Sequence, residues 1–154
     1  MSKTANLRRI QNEIKRLNND AKEFEKMFTI KMVDDDMYHW DVILYGPEDS
    51  LYEGYKFKLD IVLPNDYPFE PPRIKFITPI RHVNINTAGD ICLDTLKNEW
   101  KSSQNMSSAL MSIILLLAHP NYNDPLNSDL AELYRKNIKK YVKTIAECCE
   151  KYKF

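Results

Sequence analysis

Cys92 sits among residues that make turns. In HVNINTAGDICLDTLKNEW, residues 82–100, it follows Thr87, Ala88, Gly89 and Asp90. A cysteine that only packs is among the most buried of residue types. This setting is turn chemistry instead, so the thiol is read as a reactive group. His82 and Asn84 precede it, Asp90 and Asp94 flank it, Trp100 follows, and HPNYNDPL comes later at 119–126. A cysteine hydrolase needs a thiolate activated by a neighbouring histidine. Here the flanking carboxylates disfavour the thiolate. No Lys or Arg falls between residues 82 and 96, although activated thiols usually sit beside a cation or a helix N-terminus. Cys92 is therefore expected to be a restrained nucleophile. His82 is expected to be a structural histidine bonded to the loop backbone.

Restraint suits a thiol that holds an acyl group without losing it to water. A thioester needs a nucleophile to form and an adequate leaving group to hand the acyl chain on. Attack by an amine on that thioester makes a tetrahedral oxyanion. A side-chain amide such as Asn84 can donate a hydrogen bond to it, a role worth about 10²–10³ in rate in other acyl-transfer enzymes. The same amide can also brace its loop.

These residues need a scaffold, and the pattern of the chain supplies one. Leu7, Ile10, Ile14, Leu17, Ala21 and Phe24 recur at helical spacing, which predicts an opening amphipathic helix. Four runs rich in β-branched and aromatic residues follow, at 27–33, 38–45, 55–63 and 73–78. In the third, Phe57, Leu59, Ile61 and Leu63 alternate with Lys56, Lys58 and Asp60, as in a half-buried strand. Asp34-Asp35-Asp36, Gly46-Pro47 with Asp49-Ser50, and the cluster Pro68, Pro71, Pro72 punctuate them. Four strands on short links predict an antiparallel meander. Residues 79–104 form a long connection containing Cys92, and loops of that length are often functional. Asn105 is placed to cap a buried central helix carrying Met106, Ala109, Leu110, Ile113, Ile114 and Leu117, which Pro120 stops. Asn127 is placed to cap a short helix, and Ile138, Tyr141, Val142, Ile145 and Cys149 mark the core face of a last one. The expectation is one α+β domain over residues 1–154: an N-terminal helix, a four-stranded antiparallel meander, an active-site loop, a buried central helix and C-terminal helices.

Lys plus Arg is 22 and Asp plus Glu is 22, for a net charge of zero. That gives no general pull toward nucleic acid or an anionic membrane. Locally, Lys3, Arg8, Arg9, Lys15 and Arg16 stand against a single acid, Glu13, either a solvated helix face or a docking face for an acidic partner. The longest apolar run, 109–118, is shorter than the about 20 residues a bilayer requires. Cys92, Cys148 and Cys149 show neither a disulfide framework nor metal-ligand spacing. The expectations are no metal, no membrane, no nucleic acid, and an intracellular setting in cytoplasm or nucleus.

Several segments, in order, resemble the ubiquitin-conjugating enzymes over essentially the whole chain. YPFEPPRIKFIT is similar to that family's Tyr-Pro-Phe-x-Pro-Pro segment. HVNIN…GDICLDTL…W is similar to its His-Pro-Asn and Gly-x-Ile-Cys-Leu motifs with a downstream tryptophan. HPNYNDPLN resembles its Pro-Asn-x-x-Asp-Pro-Leu segment, and HWDVILYGPEDSLYEGYKFKLDI its second and third strands. The resemblance implies that Cys92 accepts the C-terminal carboxyl of ubiquitin as a thioester from an activating enzyme. It then passes ubiquitin to a substrate lysine, usually beside a ubiquitin ligase. It implies that Asn84 is the oxyanion and loop-bracing asparagine and that Asp124 is the acidic gate that receives the lysine. Phe69 with Lys101, Ser102 and Ser103 is implied to be the ligase patch, and the first helix, with Arg8 and Arg9, the dock for the activating enzyme.

The chain also departs from the family pattern. Val83 stands in place of the family proline and is expected to loosen its turn while leaving activity intact. Lys101-Ser102-Ser103 lacks the common Ser-Pro-Ala pattern, and His119 replaces an aspartate. The alternatives are a non-catalytic scaffold of this fold that holds ubiquitin or a ligase, a conjugating enzyme for another ubiquitin-like modifier, and a cysteine hydrolase.

Overall fold

The computed structural model describes residues 3–154, with side chains from Asn6 onward, so the side chain of Lys3 lies outside the described residues. Helix α1 (Lys3–Asn19) and the single turn α2 (Ala21–Phe24) lead into strands β1 (Phe28–Val33), β2 (Asp36–Tyr45), β3 (Lys56–Val62) and β4 (Arg73–Phe76). The strands pair antiparallel in sequence order. Beyond them come a short 3₁₀ turn (Asp94–Leu96), then α3 (Met106–Ala118), α4 (Ser128–Lys136) and α5 (Ile138–Tyr152). This is the α+β order expected from the sequence.

Period-two alternation sets the sheet. Trp40, Val42 and Leu44 of β2 and Phe57, Leu59 and Ile61 of β3 are buried on one face. The register fixes this, because Val42 faces Leu59 and Ile61 faces Ile74, and a slip of one residue would turn every side chain outward. Asp34 and Asp35 form the two-residue β1–β2 loop with φ of 51° and 58°. A type I′ hairpin needs that left-handed backbone, and aspartate tolerates it better than most residues.

Helix α3 is capped by a reciprocal box, in which the Asn105 side chain accepts from the Ser108 N–H and the Ser108 hydroxyl from the Asn105 N–H. It joins the sheet's inner face and the inward residues of α4 and α5 in one apolar cluster. Each fully buried aliphatic there contributes roughly 1.5–3 kcal/mol.

Three details depart from the sequence expectations. Helix α1 buries Asn6 and Glu13 beside Ile10 and Leu17, so Glu13 is no solvated counter-charge. On α5 the inward stripe is Tyr141, Ile145 and Cys149, whereas Ile138 and Val142 lie on the flank and remain 50% and 40% exposed. Asn127 takes the N-cap position of α4, but its side chain makes no capping hydrogen bond.

Candidate active site

Gly89 lets the Cys92 loop lie against the sheet. Its φ is +89°, and a Cβ there would fall 2.1 Å from the Phe76 carbonyl oxygen, so only glycine fits. The approach is held by the Phe76 N–H donating to the Gly89 carbonyl at 3.0 Å. Asn86 closes the turn by accepting the Ala88 and Asp90 N–H groups on its Oδ1. Asp90 then pairs with Lys75 at 3.7 Å. This flanking carboxylate is therefore turned toward the sheet.

The Cys92 N–H donates to the Asn84 carbonyl at 2.8 Å. Any displacement of Asn84 therefore reaches the cysteine backbone directly. The Asn84 side chain is 1% exposed. Its Nδ2 donates to the Asn121 carbonyl at 2.8 Å and to the Asp124 carbonyl at 3.1 Å, and its Oδ1 accepts from the Asn121 N–H at 2.8 Å. Both amide hydrogens are thus spent on the 121–124 loop. Beneath Asn84, His82 is fully buried. Its Nδ1 accepts the Asn84 N–H, so its Nε2 carries the proton and donates to the Leu116 carbonyl of α3 at 2.9 Å. Burial holds the imidazole neutral and lowers its pKa to about 4. His82 is a structural histidine, as the sequence reading expected. The turn around Val83 is not loose: its side chain is fully buried and its carbonyl accepts from both Leu126 and Asn127.

The thiol itself is partly exposed, and its Sγ lies 3.4 Å from Asp124 Oδ2. Partial burial pushes the Cys92 pKa up, the Asp124 carboxylate pushes it further, Lys97 opposes, and Asp94 adds a smaller rise. The restrained thiol expected from sequence is present, but its main anionic neighbour is Asp124 from a distant loop. Asp124 is carried on a segment pinned by aromatic packing. Tyr122 stacks on Tyr134 of α4 at 3.7 Å with planes 6° apart, and its hydroxyl meets that of Tyr141 of α5 at 3.1 Å. The sequence reading missed this three-tyrosine anchor. Its trace was an aromatic at position 122 inside an otherwise polar Pro-Asn segment.

A second locus lies around α1. Phe69 is 57% exposed, and Lys101, Ser102 and Ser103 are exposed as well. Trp100 joins the two loops by donating from Nε1 to the Pro68 carbonyl at 2.8 Å. Arg8 is exposed, whereas Arg9 is turned inward. Its guanidinium donates to Glu13 at 3.1 Å and to the carbonyls of Ser102 and Gln104 at 3.2 and 2.6 Å, and it lies over the Tyr67 ring. Glu13 also accepts the Tyr67 hydroxyl at 2.5 Å and the Met106 N–H at 2.8 Å. Burial and the adjacent Glu13 carboxylate raise the Tyr67 pKa far above the ordinary phenol value.

A helix and a four-stranded meander thus present a restrained, partly exposed thiol on the loop that follows them. The family model described as ubiquitin-conjugating enzyme matches residues 9–149. A probable ubiquitin-conjugating enzyme E2 of Acanthamoeba polyphaga mimivirus is 50% identical over 148 residues, 96% of this chain and 94% of that protein. A crystal structure carrying a ubiquitin-conjugating assignment, from Plasmodium yoelii, superposes with a TM-score of 0.87 at 38% identity, covering 96% of this chain and 95% of that one. A Toxoplasma gondii ubiquitin-conjugating enzyme domain does so with 0.81 at 36%, covering 92% and 100%. The chain belongs to the ubiquitin-conjugating enzyme family and is a transferase of the ubiquitin conjugation pathway. The family works with ubiquitin, an activating enzyme and ligases.

Proposed function

We propose that Cys92 is the residue that carries ubiquitin. In the charging step the Cys92 sulfur attacks the thioester carbonyl of ubiquitin on the activating enzyme. A new C–S bond forms at Cys92, the old one breaks, and the activating enzyme's thiol leaves. In the transfer step a lysine amine attacks the Cys92 thioester. The amide C–N bond forms, the C–S bond breaks with the Cys92 sulfur leaving as thiolate, and the proton shed by the attacking nitrogen restores the Cys92 thiol. Asp124 orients the incoming lysine ammonium and favours its loss of a proton, so that the neutral amine attacks. Asn84 holds the 121–124 loop and donates to the oxyanion once one of its amide hydrogens is released from a loop carbonyl. ATP is consumed by the activating enzyme, so this chain needs no cofactor of its own.

The observation that carries the reading is the thiol's position 3.4 Å from the Asp124 carboxylate. An acid there suppresses the thiolate of the free enzyme and afterwards faces the thioester where a lysine must arrive. It also disfavours the hydrolase alternative, which needs an activated thiolate. The exposed Phe69 and the 101–103 loop form the ligase surface, and exposed Arg8 on α1 serves the activating enzyme. The same reading implies an intracellular setting, cytoplasm or nucleus, where ATP-dependent charging and a reduced thiol coexist. The test is incubation with activating enzyme, ubiquitin and ATP. An adduct that thiol reductant removes and Cys92→Ala lacks is expected. No adduct with ubiquitin or any ubiquitin-like modifier overturns the proposal.

A further inference from the structure

We propose that Asn127 is a positioning residue for transfer, holding the turn beneath Cys92 in register with the loop that carries Asp124. The inference rests on the assignment of Cys92 and Asp124 above. An asparagine at a helix N-cap ordinarily gives its side-chain oxygen to a first-turn N–H. Asn127 occupies that position on α4 and makes no such bond. Its amide group points instead at the turn before Cys92. Nδ2 donates to the His82 carbonyl at 2.6 Å and to the Ile85 carbonyl. Its backbone N–H and that of Leu126 both donate to the Val83 carbonyl, at 3.1 and 2.8 Å.

These bonds run opposite to those of Asn84. Asn84 reaches from the first loop to the carbonyls of Asn121 and Asp124, and Asn127 reaches from the second loop to the carbonyls of His82 and Ile85. The two carboxamides therefore lock the loops together from both sides. His82, Val83, Asn84 and Ile85 are all buried, so water cannot readily replace a lost donor. The consequence travels one bond further, because the Asn84 carbonyl receives the Cys92 N–H. Removing the Asn127 donors frees the turn, shifts Cys92 relative to Asp124, and slows the step in which both must meet the incoming amine.

Asn127→Asp separates this role from helix capping. Aspartate is as good an N-cap as asparagine and nearly the same shape, yet it has no N–H and sets carboxylate oxygens against two carbonyls. Wild type, N127D, N127S and N127Q are charged with activating enzyme, ubiquitin and ATP. Single-turnover discharge onto free lysine is then followed over a range of lysine concentrations, alongside circular dichroism and thermal melting. Every variant is expected to charge and to keep its helix content. In N127D and N127S the limiting discharge rate at saturating lysine falls about tenfold or more, with little change in the half-saturating concentration. N127Q, which retains the donors, recovers part of the loss. Wild-type discharge by N127D overturns the proposal. So does a loss in which N127D, N127S and N127Q fall together in charging, discharge and melting temperature, since that marks general destabilisation. If N127D does not fold, N127S decides on the same criteria. Failure of the wild type to charge would instead remove the assignment of Cys92.

Discussion

The Cys92 thiol donates to the Asp124 carboxylate across 3.4 Å, although the two residues are 32 positions apart in sequence. The Cys92 thiol is thus held toward its protonated form, through partial burial first and the carboxylate second. Asp124→Asn removes the carboxylate's contribution and leaves the burial. The midpoint of the pH dependence of Cys92 alkylation, followed by mass spectrometry, is therefore expected to fall in the variant without dropping below the range of an ordinary thiol. More thiolate at neutral pH should make alkylation faster even as discharge onto lysine slows. A midpoint that does not move would show that the carboxylate does not act on the sulfur.

Asn84 links both halves of the site, and its loss is expected to separate the two steps. Asn84→Ala should still accept ubiquitin, because charging draws its carbonyl activation from the partner's thioester and the sulfur remains in place. Discharge onto free lysine should fall about hundredfold, the scale of losing an oxyanion donor together with the 121–124 clamp. Quench-flow discharge assays on the purified thioester give the number. An unchanged rate in both Asn84→Ala and Asp124→Ala would remove these residues from the chemistry.

The contrast between readable and unreadable parts of this protein follows from where each interaction is local. Alternation in KFKLDIV and the apolar stripe of α3 report burial within one element, and the strands and central helix lie where those periods put them. The Asn105 cap is likewise local. By contrast, the charge pattern of α1 left Glu13 on either a solvated face or a docking face, whereas its partners Tyr67 and Met106 are 54 and 93 residues away. Asn127 has the composition of a cap, and only the approach of the 82–85 turn shows that its amide is used elsewhere. Asp90 is two residues from Cys92 in the chain yet turns to Lys75, whereas Asp124 is remote in the chain and adjacent in space. Long-range pairing of polar groups leaves no period in the sequence, so resemblance named Asp124 where spacing could not.

His82 gives the fold a defined response to acid. Its folded pKa of about 4 lies below the unfolded value near 6.5, so the unfolded chain binds more protons between those limits. Stability is full above about pH 6.5, falls as pH drops through the window, and levels off below about 4. The shift corresponds to on the order of 3 kcal/mol. His82→Gln cannot titrate. Urea denaturation at several pH values should therefore give a shallower slope over this window for the variant, even though it is less stable at pH 7. Equal slopes would mean that other groups govern the acid response.

The carboxylate of Glu13 predicts coupling between α1 and the exposed 101–103 loop. It receives Arg9, Tyr67 and the first N–H of α3, while Arg9 holds the carbonyls of Ser102 and Gln104. Tyr67→Phe deletes a hydrogen bond to a buried charged group and should cost about 1.5–3 kcal/mol in urea denaturation. Arg9→Ala should cost a similar amount. Because both act on one carboxylate, the double variant should depart from additivity by about 1 kcal/mol. The functional consequence is selective. Arg9→Ala unties the loop implied to meet the ligase, so ligase-stimulated discharge should fall several-fold while discharge onto free lysine stays near wild type. Arg8→Ala, which removes an exposed cation from the face proposed for the activating enzyme, should slow charging and spare both discharge reactions. Measuring charging, free discharge and ligase-stimulated discharge on the same two variants distinguishes an inward strut from an outward contact. If Arg9→Ala slows charging and leaves ligase stimulation intact, the strut has no functional reach, and the residue serves the docking face despite its inward hydrogen bonds.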